Sequence, residues 1–414
     1  MNYMKSIVLD SISVKSNLVE YHFTCSKELD RYFTTKTMFI EYEESIENVP
    51  MSILTIPFVN CMLGLVWMSD SVLFVDEIDR TYYDSVSSLK RAYEELHGYP
   101  NLKGLFVPSV IIDNEVTKSN HSILLFGGGI DCQSSYLRNT DRVKYVLNIY
   151  GWLQSLEENN KVDIADKLTA EVFSNSMGIK SLHARSNFAS QFNLSEIDKR
   201  LTSHIGSSYW FAFLHSMAFI SIAAPLAWIK GISDIIIASS YTKGRANRHC
   251  GSYITTDSNF RYAQNGKVLH DGFELNRQEK VALIVNYQQK TRKPYNLQVC
   301  SFNDCNCCEC EKCFRTILDI IALGGEPLLF GFKSYSKEHW SKVVERDVAL
   351  WGVNKESYYY SISAKKMKEN YDSILYKDFV DWFLSCDFKQ MKKVGLRKYY
   401  RKNFFSILKR KLHI

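Results

Sequence analysis

The 414-residue chain predicts an α/β fold built on a parallel sheet, and three observations carry that expectation. From Ser122 onward, short apolar runs alternate with helical patterns, as strands and crossover helices do in a parallel sheet. One junction, from Ser122 to Ser135 (Ser-Ile-Leu-Leu-Phe-Gly-Gly-Gly-Ile-Asp-Cys-Gln-Ser-Ser), passes from a β-prone run through three glycines into a helix start. A hydrophobic content of 46% supports a sizeable core, and seven prolines argue against long disordered linkers. The length exceeds one ordinary core, so about two or three domains are expected.

Residues 1–118 are expected to form a separate N-terminal α+β domain. Apolar runs at 53–59, 63–67 and 72–75 read as strands and 82–96 as a helix, ending in a polar connector at 117–120. No catalytic spacing occurs there, which leaves capping or dimerisation as its expected role. In residues 119–325 the strand candidates are 123–126, 143–149, 180–184, 235–238 and 297–300, with helices at 131–138, 164–177, 209–229 and 277–288. The helix at 209–229 is apolar and near bilayer length. His215, several serines, Pro225 and its place inside an α/β pattern make it a buried crossover helix. Residues 326–414 are expected to be a helical region ending in a basic tail.

Net charge is +6, and the tail holds the excess. Residues 389–414 contain ten of the 51 Lys/Arg and no Asp/Glu, so the rest of the chain balances 41 basic against 45 acidic residues, or −4. Tyr399, Tyr400, Phe404 and Phe405 interleave with these charges. Three readings stand: a terminal helix docked on the body, an amphipathic helix on an anionic membrane, or a nucleic-acid arm. Met1 to Val14 has no apolar signal-peptide core, so the cytoplasm is the expected location.

The glycine junction carries the first chemical signal. Glycines let backbone N–H groups crowd together and face outward, and a helix N-terminus adds partial positive charge at the same point. Such a bend cradles phosphate; the plainer reading is a tight turn in an α/β sheet. The dinucleotide fingerprint needs a glycine or alanine where Cys132 stands, and the P-loop needs a Gly-Lys-Ser/Thr run that is absent.

Cysteine carries the second signal. Five of the eleven cysteines fall between Cys305 and Cys313. Cys307, Cys310 and Cys313 make C-x2-C-x2-C, with Cys300 as a natural fourth ligand and Cys305 and Cys308 as spares for it. Thiolates at this spacing converge on one ion where a turn runs into a helix, and four sulfurs favour tetrahedral Zn2+. An iron–sulfur cluster is the competing reading, but the ferredoxin-type run needs a further cysteine just downstream, where this chain has none. Disulfides are not expected for clustered thiols in a chain without an export signal.

Gly127, Gly128, Gly129, Ile130, Asp131 and Cys132 resemble the Ser-Gly-Gly-x-Asp-Ser loop of the ATP-pyrophosphatase (PP-loop, adenine nucleotide alpha-hydrolase-like) superfamily, with Gly127 and Cys132 in place of the two serines. A pyrophosphate loop followed by C-x(n)-C-x2-C-x2-C is similar to the 7-cyano-7-deazaguanine synthase branch. Residues 215–228, 237–242, 270–277 and 307–316 are similar to less characterised relatives of that branch. The resemblance covers roughly residues 120–325. It implies a Rossmann-like HUP/PP-loop core, a structural zinc, and use of ATP and Mg2+ to adenylate a carboxylate that ammonia or an amine then attacks.

Site roles follow as expectations. Gly127, Gly128 and Gly129 hold the ATP phosphates through backbone amides, with Cys132 at the helix start as a serine stand-in or, if the helix lowers its pKa, a nucleophile. Asp131 caps the helix or holds Mg2+. Asn148 to Gly151 border adenine, and Ser239, Ser240 and Thr242 line the carboxylate side. Asp257, Asp271 and Glu274 belong to a lid, or the latter two cap the following helix. Lys280, Lys312 and Arg315 offset charge as pyrophosphate leaves. The expected function is an AMP-forming ligase acting on an unidentified carboxylate, with homodimerisation as a further expectation. Two alternatives stand beside it: a non-catalytic zinc-stabilised nucleotide-binding protein, and a tRNA sulfur transferase using Cys250 or Cys132.

Overall fold

The computed structural model describes residues 4–99, 102–152, 161–243, 250–300, 305–333, 336–351, 353–387, 389–391, 393, 394 and 397. Nearly all of the basic tail, and with it the three readings of its partner, lies outside the described residues. The chain parts into two compact units, Met1–Asn276 and Arg277–Ile414.

The first unit opens with an antiparallel meander of β1 (Ser6–Lys15), β2 (Leu18–Cys25) and β3 (Thr37–Tyr42). Then come α1 (Met51–Ser69), β4 (Val72–Asp79), α2 (Arg80–His97) and β5 (Leu105–Ile112). An alternating run follows: β6 (Ser122–Leu125), α3 (Ile130–Arg138), β7 (Val143–Tyr150), α4 (Lys161–Met177) and β8 (Lys180–Ser186). The short α5 (Leu194–Ile197) and a π-helical turn at Trp210–Leu214 lead into α6 (His215–Ile229). The unit closes with β9 (Asp234–Ala238), α7 (Ile254–Asp257), β10 (Arg261–Tyr262) and β11 (Gly266–Asp271).

The eleven strands among the described residues join one mostly parallel sheet in the order β10-β11-β9-β6-β7-β8-β3-β2-β1-β4-β5. Parallel pairing runs through β11, β9, β6, β7 and β8, as the alternating pattern predicts. β6 and β9 at the centre read as short apolar runs, Ile123–Leu125 and Ile235–Ala238, because helices cover both faces. Right-handed crossovers from β6 to β7 and from β7 to β8 put α3 and α4 on one face, and the return towards β9 puts α6 on the other. Strand order therefore reverses beside β6, which makes the carboxyl ends of β6 and β9 a topological switch point.

The N-terminal strands are not set apart from this sheet. β3 pairs antiparallel with β8, Tyr42 opposite Ala184, so the expected boundary at 118 and 119 lies inside one continuous sheet. Residues 53–59 and 63–67 are not two strands but the single helix α1. Seventeen of its nineteen residues are buried, against the sheet and against α6, so no polar face gave a helical period to read. Its one strongly polar group, Asn60, donates to the Met217 carbonyl at 2.6 Å and accepts from the Tyr82 hydroxyl at 2.9 Å. Among the described residues two helices are long and apolar enough to cross a membrane, Met51–Ser69 and Trp210–Ile229, and their most apolar stretches are 89% and 78% buried within the protein.

The second unit is helical: α8 (Arg277–Thr291), α9 (Glu311–Ala322), α10 (Lys337–Trp351), α11 (Val353–Glu369) and α12 (Lys377–Ser385). Its core sets Trp340 edge-on to Phe379, with ring centroids 5.1 Å apart. Buried Asp319 ties three helices together through Arg277 at 3.2 Å and the Ser363 hydroxyl at 2.8 Å. The expected strand at 297–300 is irregular backbone, because its polar groups are met by a side chain: Asn306 accepts from the Val299 amide and donates to the Leu297 carbonyl.

Candidate functional site

In the first unit the apolar strand β6 delivers Phe126 and the three glycines to the switch point. Gly128 has φ +75°, a conformation only glycine adopts without steric cost. A Cβ built on Gly127 or Gly129 would meet nothing within 4 Å, so the bend opens onto free space and packing does not explain those two glycines. The cap position of α3 is Gly129, which has no side chain to offer the first amides of the helix. Asp131 therefore sits in the first turn, where its charge meets the positive end of the dipole, and not at the cap. Buried Gln133 supports the bend from below, its amide donating to the Gly128 carbonyl at 2.7 Å.

Cys132 is buried, and its thiol donates to the Gly129 carbonyl at 3.2 Å. Burial pushes the thiol up to about 12, outweighing the amides of Gly127, Gly128 and Gly129, which approach the sulfur and favour its thiolate. The lowered pKa expected at a helix start is thus reversed by desolvation, and Cys132 is not an activated nucleophile. The sulfur also marks where the three amides converge.

The other expected residues divide by burial. Asn148 lies inside β7, nearly fully buried, and donates to the Phe126 carbonyl at 3.2 Å. Across the switch point Ser239 turns its hydroxyl inward to the Tyr241 carbonyl at 2.6 Å, while Ser240 is exposed and Thr242 half-buried. Asp271 and Glu274 are tied to α3: Ser135 donates to Asp271 at 2.7 Å, and Arg138 pairs with both carboxylates. More than 130 residues separate these partners, so nothing in the local sequence signals the contact. Asp257 is buried and accepts from Ser252, and His270 lies 2.7 Å from the same carboxylate oxygen.

In the second unit Cys300, Cys307, Cys310 and Cys313 bring their sulfurs within 4.8 Å of one another, a site able to hold a metal ion such as zinc. Cys307 and Cys313 are 3.9 Å apart and Cys310 and Cys300 4.0 Å, close to the sulfur separations of a tetrahedron with bonds of about 2.3 Å. Cys310 caps α9, accepting from the Cys313 amide, and Cys307 accepts from the amides of Glu309 and Cys310. These N–H groups stabilise thiolates. Cys310 is drawn down to about 5, chiefly by the hydrogen bond from the Cys313 thiol, with the Cys313 amide adding to it. The spares take no part: Cys305 is exposed, and Cys308 accepts from the Lys333 amide at 3.2 Å. Lys312 and Arg315 stand on α9 beside the cluster, Arg315 paired with Glu311 at 3.0 Å, while Lys280 is buried in α8.

A scan against protein-family models finds none that matches this chain, and no curated protein matches it.

Proposed function

We propose that the chain is an ATP-dependent, AMP-forming ligase of the PP-loop kind, with the glycine bend as its polyphosphate cradle. One observation carries the reading: three successive glycines bend the chain at the carboxyl end of β6, on the switch point, before a helix with no side-chain cap and beside open space. Anions bind such a place through N–H groups and the helix dipole. In the proposed cycle Gly127, Gly128 and Gly129 hold the β- and γ-phosphates and Asp131 holds Mg2+. A substrate carboxylate attacks the α-phosphorus, pyrophosphate leaves, and ammonia or an amine displaces AMP from the acyl adenylate. Ser240 and Thr242 face the carboxylate side, and Asn148 backs the bend near adenine. Zn2+ on the four cysteines is structural.

A second reading has its own support. The Cys132 sulfur sits at the focus of the amides, and both loop serines are replaced, as in a nucleotide-binding protein that has lost catalysis. The sulfur-transferase reading loses ground, because burial pushes Cys250 up to about 11 and Cys132 to about 12, leaving neither poised as a thiolate. Homodimerisation has exposed apolar side chains to use, Leu105 and Val107 on one face of edge strand β5.

Calorimetric titration with Mg·ATP, followed by a screen of carboxylates for AMP release and pyrophosphate exchange, tests the proposal. Binding with AMP release that Asp131→Ala abolishes, fold intact, supports the ligase. Binding without turnover favours the second reading, and no ATP binding removes both.

A further inference from the structure

Away from the glycine bend, three side chains converge where β3 and β8 meet under α4. Glu43 follows β3 directly, and its amide donates to the His183 carbonyl at 3.3 Å, extending the register that sets Tyr42 opposite Ala184. Opposed residues of an antiparallel pair project from the same face. Leu182 and Ala184, on either side of His183, belong to the core shared with α1 and α6, so His183 turns to the α4 side. From α4, Glu171 brings its Oε1 to 3.9 Å from His183 Nε2. One donor atom from each of the three residues lies within 4.8 Å of the other two.

His183 is only 2% exposed, and neither ring nitrogen has a hydrogen-bond partner among the described residues. A buried polar group left unmet is costly, so an imidazole aimed at two carboxylates calls for a ligand. Lys167 holds Glu43 Oε1 at 2.5 Å, which leaves the second carboxylate oxygen to bind.

We propose that Glu43, Glu171 and His183 hold a divalent transition-metal ion through the imidazole Nε2 and one oxygen of each glutamate. One nitrogen and two oxygens suit Mn2+ or Zn2+, whereas Ca2+ and Mg2+ take oxygen alone. Bonds of about 2.0–2.2 Å place donors roughly 3–4 Å apart, and the His183–Glu171 separation already fits. Burial holds the His183 imidazole below its ordinary pKa and hence neutral, the form that binds metal. The ion staples α4 to the seam between β3 and β8 and keeps coordination positions for water.

The test is titration of the full-length protein with Mn2+, reading free aqueous Mn2+ by electron paramagnetic resonance. Zinc is counted on the same sample, so that any zinc beyond the cysteine site's equivalent is scored as occupancy. The expected result is one ion per chain at this site, binding at least tenfold weaker in Glu171→Gln and His183→Gln, with a Mn2+-induced rise in Tm that the variants lose. Should His183→Gln not fold, Glu43→Gln and Glu171→Gln at the more exposed positions decide. A wild type that takes up neither Mn2+ nor a second zinc, or variants that bind as well as wild type, overturns the site.

Discussion

Cys132 stands where the resembling loop has serine, and its neighbours decide what it can do. Its sulfur occupies the point on which three amides converge, so a phosphate oxygen must share or displace it. Cys132→Ser puts a smaller, better hydrogen-bonding group there. A hydrogen bond to a charged group is worth about 1.5–3 kcal/mol, so Mg·ATP should bind roughly tenfold tighter to the variant; unchanged affinity by calorimetry would place the nucleotide elsewhere. His215 illustrates a different control. Burial holds its imidazole below the ordinary value, although Nδ1 shares a 2.8 Å hydrogen bond with the Trp210 carbonyl. As pH falls through about 6.5 the unfolded histidine takes up a proton that the folded one refuses, so stability declines on acidification. Denaturant unfolding at pH 5.5 and 7.5 should show a smaller loss for His215→Gln than for wild type.

At the level of elements, α1 and the cysteine turn are held by opposite means. α1 relies on close packing: a Cβ on Gly64 would lie 2.9 Å from Phe213 Cβ and 3.1 Å from the Tyr209 ring. Gly64→Ala gains helix propensity of about 1 kcal/mol but forces that contact apart. A net destabilisation of about 1–2 kcal/mol is expected, and a stabilised variant in urea unfolding would show that the helices part easily. The cysteine turn at residues 305–310 has no helix or strand of its own, and a bound ion would organise it. Structural zinc contributes on the order of 10 kcal/mol to small folds. Cys310→Ser should therefore lose one zinc equivalent and lower Tm by several degrees, while Cys305→Ser keeps both metal and Tm. Equal zinc content in the two variants would remove the site.

The largest structural unit is the sheet itself. β3 and β8 join the N-terminal meander to the parallel strands, and one buried core runs beneath both parts. Tyr42 on β3 donates from its hydroxyl to the Ile222 carbonyl of α6, and α1 buries its surface against that same helix. A fragment of residues 1–118 would expose β3 as an unpaired edge and α1 as an apolar surface. It should lack cooperative thermal unfolding by circular dichroism and self-associate; a monomeric fragment with a sharp transition would restore an independent domain.

The parallel strands β6 to β9, the glycine bend and the four clustered cysteines were legible in the chain alone. Each is written in adjacent residues: an apolar run with its stop, three glycines before a helix, thiols at spacings that one turn brings together. Folding was needed to reveal that α1 is a helix, that the N-terminal strands share the sheet, that burial raises the Cys132 thiol, and that Glu43, Glu171 and His183 meet. Those outcomes depend on which surfaces exclude water together. Burial on all sides erases the period of a helix, and contacts across more than a hundred residues leave no mark in the local chain.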